Sequence, residues 1–239
     1  MIKFFRHIRK SLLEQNKMGK YFKYAVGEII LVVVGILIAL QINNWNENRK
    51  IKNEERALLI NVLESLERDS IGIVKLSNTR DTVLQLHKDL MDVVNSKKNP
   101  NEIKSLNFLR RSLPKRLITK QNHPDLSNQV FDKDVKSAVL TYFETINFFE
   151  YVMNNYNELI EDKMRPYLGE KKLLNYGNQF EEKEYINHSL FFKELQNIET
   201  QQVLFEAGIK VGTMNIFHQN VKKTNELLKK SIQSYLKKS

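Results

Sequence analysis

The stretch Gly27–Glu47, GEIILVVVGILIALQINNWNE, decides how this chain is organised. Its centre, Ile29 to Leu40, is twelve residues of uninterrupted apolar or glycine character, with Glu28 immediately before it. Read outward, low polarity extends from Tyr24 to Ile42, broken only by Glu28 and Gln41. As a helix, that length spans about 28 Å, close to the hydrocarbon thickness of a bilayer. Tyr21, Phe22 and Tyr24 stand at one end and Trp45 at the other, the positions aromatic side chains take at the two membrane interfaces. The stretch therefore reads as a transmembrane helix over residues 24–45 rather than a soluble core helix. No A-x-A-like site follows it, since Leu37 stands two residues before Ala39, so it reads as an uncleaved signal anchor.

Charge orients the anchor. Lys3, Arg6, Arg9, Lys10, Lys17, Lys20 and Lys23 precede it with Glu14 as the single acid, whereas Arg49, Lys50 and Lys52 on the far side are mixed with Glu47, Glu54 and Glu55. Basic flanks stay in the cytoplasm. The expected layout is a cytoplasmic basic-aromatic segment, 1–23, the anchor, and a periplasmic domain, 46–239. Glu28 admits two readings. It can sit at the cytoplasmic interface, reaching toward Lys20, Lys23 or lipid headgroups. Alternatively, Glu28, Val32, Gly35 and Ala39 share one helical face, and the Gly35/Ala39 small-xxx-small pair lets two helices approach closely. The second reading makes this face a candidate association site and the chain a homo-oligomer through its anchor.

The N-terminal MIKFFRHIRKSLLEQNKMGKYFKYA followed by GEIILVVVGILIALQINNWNE resembles an uncharacterised family of single-pass envelope proteins from Gram-negative bacteria. The resemblance is concentrated in residues 1 to about 50. It implies an inner-membrane anchor and a periplasmic helical domain of unknown function, and it implies no catalytic residues.

Beyond the anchor, helical signals dominate. The chain of 239 residues has 8 Gly and 4 Pro, none of the prolines before Pro100. That is too few breakers for a turn-rich β fold. From Trp45 to about Asn95, Leu58, Val62, Leu66, Ile73, Leu76, Val83, Leu86 and Leu90 recur at helical steps, with Leu59 and Leu63 widening the stripe. One long helix follows, with Asn43, Asn44 and Gly72 as places where it could bend. NSKKNPNE ends it. Residues 101–131 read as a short helix and a proline-containing loop, with Lys104, Arg110, Arg111, Lys115, Arg116 and Lys120 forming a solvated or anion-facing basic surface. No docking motif supports nucleic-acid binding there. A second helix runs from Asp132 through Val139, Ile146 and Phe149 and should stop near Arg165, before Pro166. After a polar connection over 167–188, a heptad-like series Phe191, Leu195, Ile198, Gln202, Phe205, Ile209, Gly212 and Ile216 continues in a shifted register through Val221, Leu228 and Ile232.

The expected fold is all-α: a single transmembrane helix followed by an antiparallel bundle of long amphipathic helices. Its core should combine Leu59, Val62, Leu63 and Leu66 with Val139, Ile146, Phe149, Phe205 and Ile209. The absence of Cys excludes disulfides and thiolate chemistry. His7, His87, His123, His188 and His218 are dispersed, and no H-E-x-x-H, P-loop, G-x-S-x-G or G-x-G-x-x-G occurs. We therefore expect no cofactor, no metal site and no enzyme. Two functional classes stay open: a membrane-tethered scaffold that binds an envelope protein, and a sensor that signals through a cytoplasmic partner. Residues 1–23 are too short to hold an output domain.

Overall fold

The computed structural model describes residues 18–114, 117–178 and 183–238, and these are helical with no strand beyond a single antiparallel bridge, Leu174 to Ile186. Three long helices dominate: α1 (Met18–Val94), α2 (Lys133–Leu159) and α3 (Ile198–Lys238). Shorter pieces include Thr119–Asn122, Leu126–Gln129, Arg165–Glu170 and His188–Glu194. The chain divides into two compact units at Ala57/Leu58.

The first unit is the N-terminal part of α1. It contains one stretch long and apolar enough to cross a membrane, and none of that stretch is buried within the chain. The places where a bend was expected, Asn43, Asn44 and Gly72, all lie within the continuous helix.

The second unit, 58–239, is built on the rest of α1. Leu59, Val62, Leu66, Ile73, Leu76, Val83, Leu86 and Leu90 are buried, as the stripe requires, and Leu63 packs at the margin. α2 starts at Asp132, whose side chain accepts the N–H groups of Asp134 and Val135, satisfying two of the donors that a helix start leaves open. It buries Val139, Tyr142, Ile146, Phe149 and Met153. Contacts give the directions. Asn225 reaches Leu66 and His218 reaches Ile73, so α3 runs antiparallel to α1. Tyr142 meets Asn225 while Phe149 meets His218, so α3 is antiparallel to α2 as well. The antiparallel relation thus holds for α3 against both partners, while α1 and α2 share a direction.

Two helices with a common direction need a return path, and residues 95–131 supply it. Expected as a solvated loop, this segment instead buries Ile103, Leu106, Leu109, Leu113, Leu117, Leu126 and Val130. Asn157 fixes its middle by accepting the Leu113 N–H and donating to the Leu113 carbonyl. Ser96, at φ 57°, takes the left-handed conformation that closes the end of α1, where Lys97 N–H bonds the Asp92 carbonyl.

Two further expectations are corrected. The helix does not stop before Pro166. A wide π turn over Ile160–Met164 follows α2, in which Arg165 N–H bonds the Ile160 carbonyl, and the short helix Arg165–Glu170 carries Pro166 in its first turn. Widening the turn makes room for the ring and relieves the missing N–H. Phe205 and Ile209 are not core residues, being 57% and 53% exposed. The buried face of α3 is Thr200, Leu204, Ala207, Val211, Met214, His218, Val221, Asn225, Leu228 and Ile232.

These assignments separate two phenylalanines in a denaturant titration of the 53–239 fragment. Phe149, 1% exposed, should cost about 3–5 kcal/mol when cut to Ala. Phe205→Ala should change stability by less than about 1 kcal/mol.

Candidate interaction surface

The anchor face lies entirely on α1. Val32, Gly35 and Ala39 are exposed and Glu28 is half-buried. A methyl group added at Gly35 would meet nothing within 4 Å. Helical spacing puts the four residues on one side, but among the described residues nothing packs against Gly35.

In the basic stretch 104–120, Lys104 and Arg111 are exposed, and Arg110 and Arg111 line an open cleft with Arg165 and Lys183; Lys115 and Arg116 lie outside the described residues. The guanidinium groups of Arg110 and Arg111 stack on Tyr185 and Phe108. Arg165 donates to the Arg110 carbonyl and to Ser112 Oγ. These cations hold the return segment in place.

At the middle of the bundle sits a polar layer that periodicity could not reveal. Asp69 is fully buried, and its carboxylate accepts the Ile118 N–H at 2.6 Å, the Thr119 N–H at 3.2 Å and the Tyr142 hydroxyl at 2.9 Å. Asn225 donates to the same hydroxyl at 3.1 Å and to the Leu66 carbonyl at 3.2 Å, and accepts from Ser70 at 2.8 Å. Burial, followed by the Asp69 charge, pushes the Tyr142 phenol well above its ordinary range. A carboxylate accepts only, so three convergent donors let it be buried. The layer joins α1, α2, α3 and the return segment, and its groups bond one another.

The histidines are separate. His123 meets Ser65, His188 donates to the Ile103 carbonyl and His218 to the Ile73 carbonyl; His7 lies outside the described residues. Among the described residues no His, Asp and Glu cluster could hold a metal ion. His87 differs: it is buried, its Nε2 has no hydrogen-bond partner among the described residues, and burial lowers its pKa to about 4.

His87 lines a groove of about 820 Å³ between the end of α1 and the start of α3. Leu84, Leu90, Met91 and Val94 form one wall, and Leu195, Ile198, Leu204, Phe205 and Ile209 form the other. Lys88, Glu206, Gln201 and Gln202 supply the polar edge. Gly208 lies so close that a methyl group there would touch the His87 ring at 3.7 Å. Met91, Ile198, Phe205, Ile209 and, further along α3, Ile216 are all more than half exposed. Contiguous apolar surface of this kind marks a place where another molecule binds. The sequence reading recovered these α3 residues as a heptad series but assigned them to the interior. α3 carries two such series on opposite faces, and the larger side chains are on the outer one.

Two measurements probe these features. Asp69→Ala leaves the Ile118 and Thr119 N–H groups and the Tyr142 hydroxyl without their acceptor and should cost about 3–5 kcal/mol; Tyr142→Phe, which removes one donor, should cost about 1–3 kcal/mol. His87 is held neutral in the fold while its unfolded pKa is 6.5, so below pH 6.5 the unfolded chain takes up a proton that the folded chain refuses until about pH 4. Stability should fall across that window by about 3 kcal/mol on this account, and His87→Leu should flatten the loss relative to wild type in parallel denaturant titrations.

Comparison with characterised proteins and with solved structures gave no match. A family model described as a family of unknown function (DUF6090) matches residues 28–208, a span that takes in the apolar stretch of α1, the return segment, α2 and the groove as far as Gly208. On that match the chain belongs to the DUF6090 family.

Proposed function

We propose that this chain is a non-catalytic interaction protein, tethered to the inner membrane by residues 24–45, with residues 1–23 in the cytoplasm and its helical bundle in the periplasm. The observation that carries the proposal is the apolar outer face of α3 beside the groove, where Ile198, Phe205, Ile209 and Ile216 stand in solvent. Leaving such side chains exposed gains nothing for the fold and creates a docking surface. The bilayer and an envelope protein are the partners this reading requires. The lysine and arginine bias before the anchor supports the orientation, and Gly35 and Ala39 support helix association within the membrane.

The sensor alternative calls for a polar ligand pocket between α2 and α3. Tyr142 and Asn225, two of the polar groups there, are buried and bonded to each other, which favours the interaction reading.

A photoreactive residue in place of Phe205 should form protein adducts in intact cells, whereas one at exposed Lys222 should not. Absence of protein adducts at Phe205 would remove the docking surface. An epitope placed after Ser239 should be digested by protease once the outer membrane is opened. Protection until the inner membrane is lysed would reverse the topology.

A further inference from the structure

We infer that the outer face of α3 pairs with the same face of a second copy of this chain, as a parallel, in-register two-stranded coiled coil. The inference rests on the docking surface proposed above and names its occupant. Ile198, Gln202, Phe205, Ile209, Gly212 and Ile216 follow one another at alternating steps of four and three residues. That is a heptad seam with Gln202, Ile209 and Ile216 at a positions and Ile198, Phe205 and Gly212 at d positions. The buried face of α3 keeps the same alternation from Thr200 to Ile232, so the helix is already committed to heptad packing on its inner side. A heptad repeat whose apolar residues the bundle leaves more than half exposed is the pattern that matches another helix of the same repeat.

Three features favour a copy of this chain. First, a parallel pair sets each seam residue against itself. The seam contains no charge, so no like charges meet on the axis, and the flanking Glu206 stands opposite Gln201 of the other helix. Gln202 is its single polar a residue, and a side-chain amide can donate to and accept from its own copy, which fixes register. Second, Met91, Ile198, Phe205, Ile209 and Ile216 offer roughly 500 Å² of exposed apolar surface per copy, so the pair would bury about 1,000 Å², the lower edge for a specific contact. Such a contact suits two chains concentrated in one membrane, where tethering raises effective concentration toward the millimolar range. Third, α1 and α3 are antiparallel, with Leu66 level with Asn225, so Leu58 lies near the C-terminal end of α3. A parallel pair keeps the two Leu58 residues side by side. An antiparallel pair centred on the seam would set them roughly 75 Å apart along the helix axis.

The test uses the full chain in proteoliposomes and its lack of cysteine. Single cysteines replace Phe205, Ile209 or Ile216 on the seam, or Lys222 off it, and the samples are oxidised. Because all four positions are outside the core, folding is not at stake. Disulfide-linked dimer at each seam position, at least about fivefold above Lys222→Cys, is the expected result. Phe205→Asp, which opposes two carboxylates across the axis, should reduce the Ile209→Cys product about fivefold or more. Equal yields at all four positions would overturn the pairing. Linkage between Ile198→Cys and Ile216→Cys chains in a mixture, with neither linking to itself, would overturn the parallel register. A photoreactive residue at Phe205 in cells separates the two claims. Adducts with a different protein and no self-adduct would end self-pairing but keep the docking surface. Adducts with lipid alone would end both.

Discussion

The bundle depends on one buried charge. Asp69 is fully buried, and a carboxylate with no hydrogen-bond donors in such a place would be far too costly to keep. The geometry offsets this by bringing two backbone N–H groups and a phenol to the same two oxygens. The consequence is positional. The return segment can pass only where Ile118 and Thr119 face Asp69, α2 can slide only as far as Tyr142 allows, and α3 is located by Asn225, which bonds Tyr142 and the Leu66 carbonyl. Apolar stripes at heptad spacing tolerate slips by a turn or more. A layer of directional bonds does not, so the hydrophobic contacts hold the elements together while the Asp69 layer selects a single arrangement.

Much of this fold was legible in the sequence. The apolar stretch follows from its unbroken length, and none of it is buried within the chain. The stripe from Leu59 to Leu90 and the face Val139–Ile146–Phe149 follow from periodicity, because there the residues at helical steps are the buried ones. α3 breaks that rule. Its inner face uses Thr200, Ala207, Val211 and Met214, small or flexible side chains that allow close approach to α1 and α2, while Ile198, Phe205, Ile209 and Ile216 point outward. A reading that ranks faces by hydrophobicity chooses the wrong one. The same face carries the candidate site, so that site was visible as a pattern but misread as interior.

The return segment was hidden for a different reason. Ile103, Leu106, Leu109, Leu113 and Leu117 recur at steps of three and four, the spacing of a helix, but the backbone there alternates 3-10 turns with extended residues, so the spacing does not describe how they are buried. Its basic residues suggested a solvated surface. Arg111 is exposed as that reading requires, while Arg110 and Arg111 also lie over aromatic rings and Arg165 donates to a carbonyl and a hydroxyl. Long side chains of this type can cover apolar neighbours with their stems while the charged end remains near water. The Asp69 layer had no local signature at all, since its members come from positions scattered between residues 66 and 225.

That scatter governs how the molecule can be made. α3 is synthesised after α1 and α2, yet it packs along both of them, and the Asn225 side chain bonds a carbonyl 159 residues upstream. Until it emerges, the stripe of α1 and the face of α2 have each other and the return segment but not their third wall. Contacts of such large sequence separation form late and leave apolar surface uncovered in the meantime. The bundle therefore cannot complete itself as it leaves the ribosome or a translocation channel. It closes only once α3 has emerged, and a chain cut before α3 leaves the faces that α3 covers open.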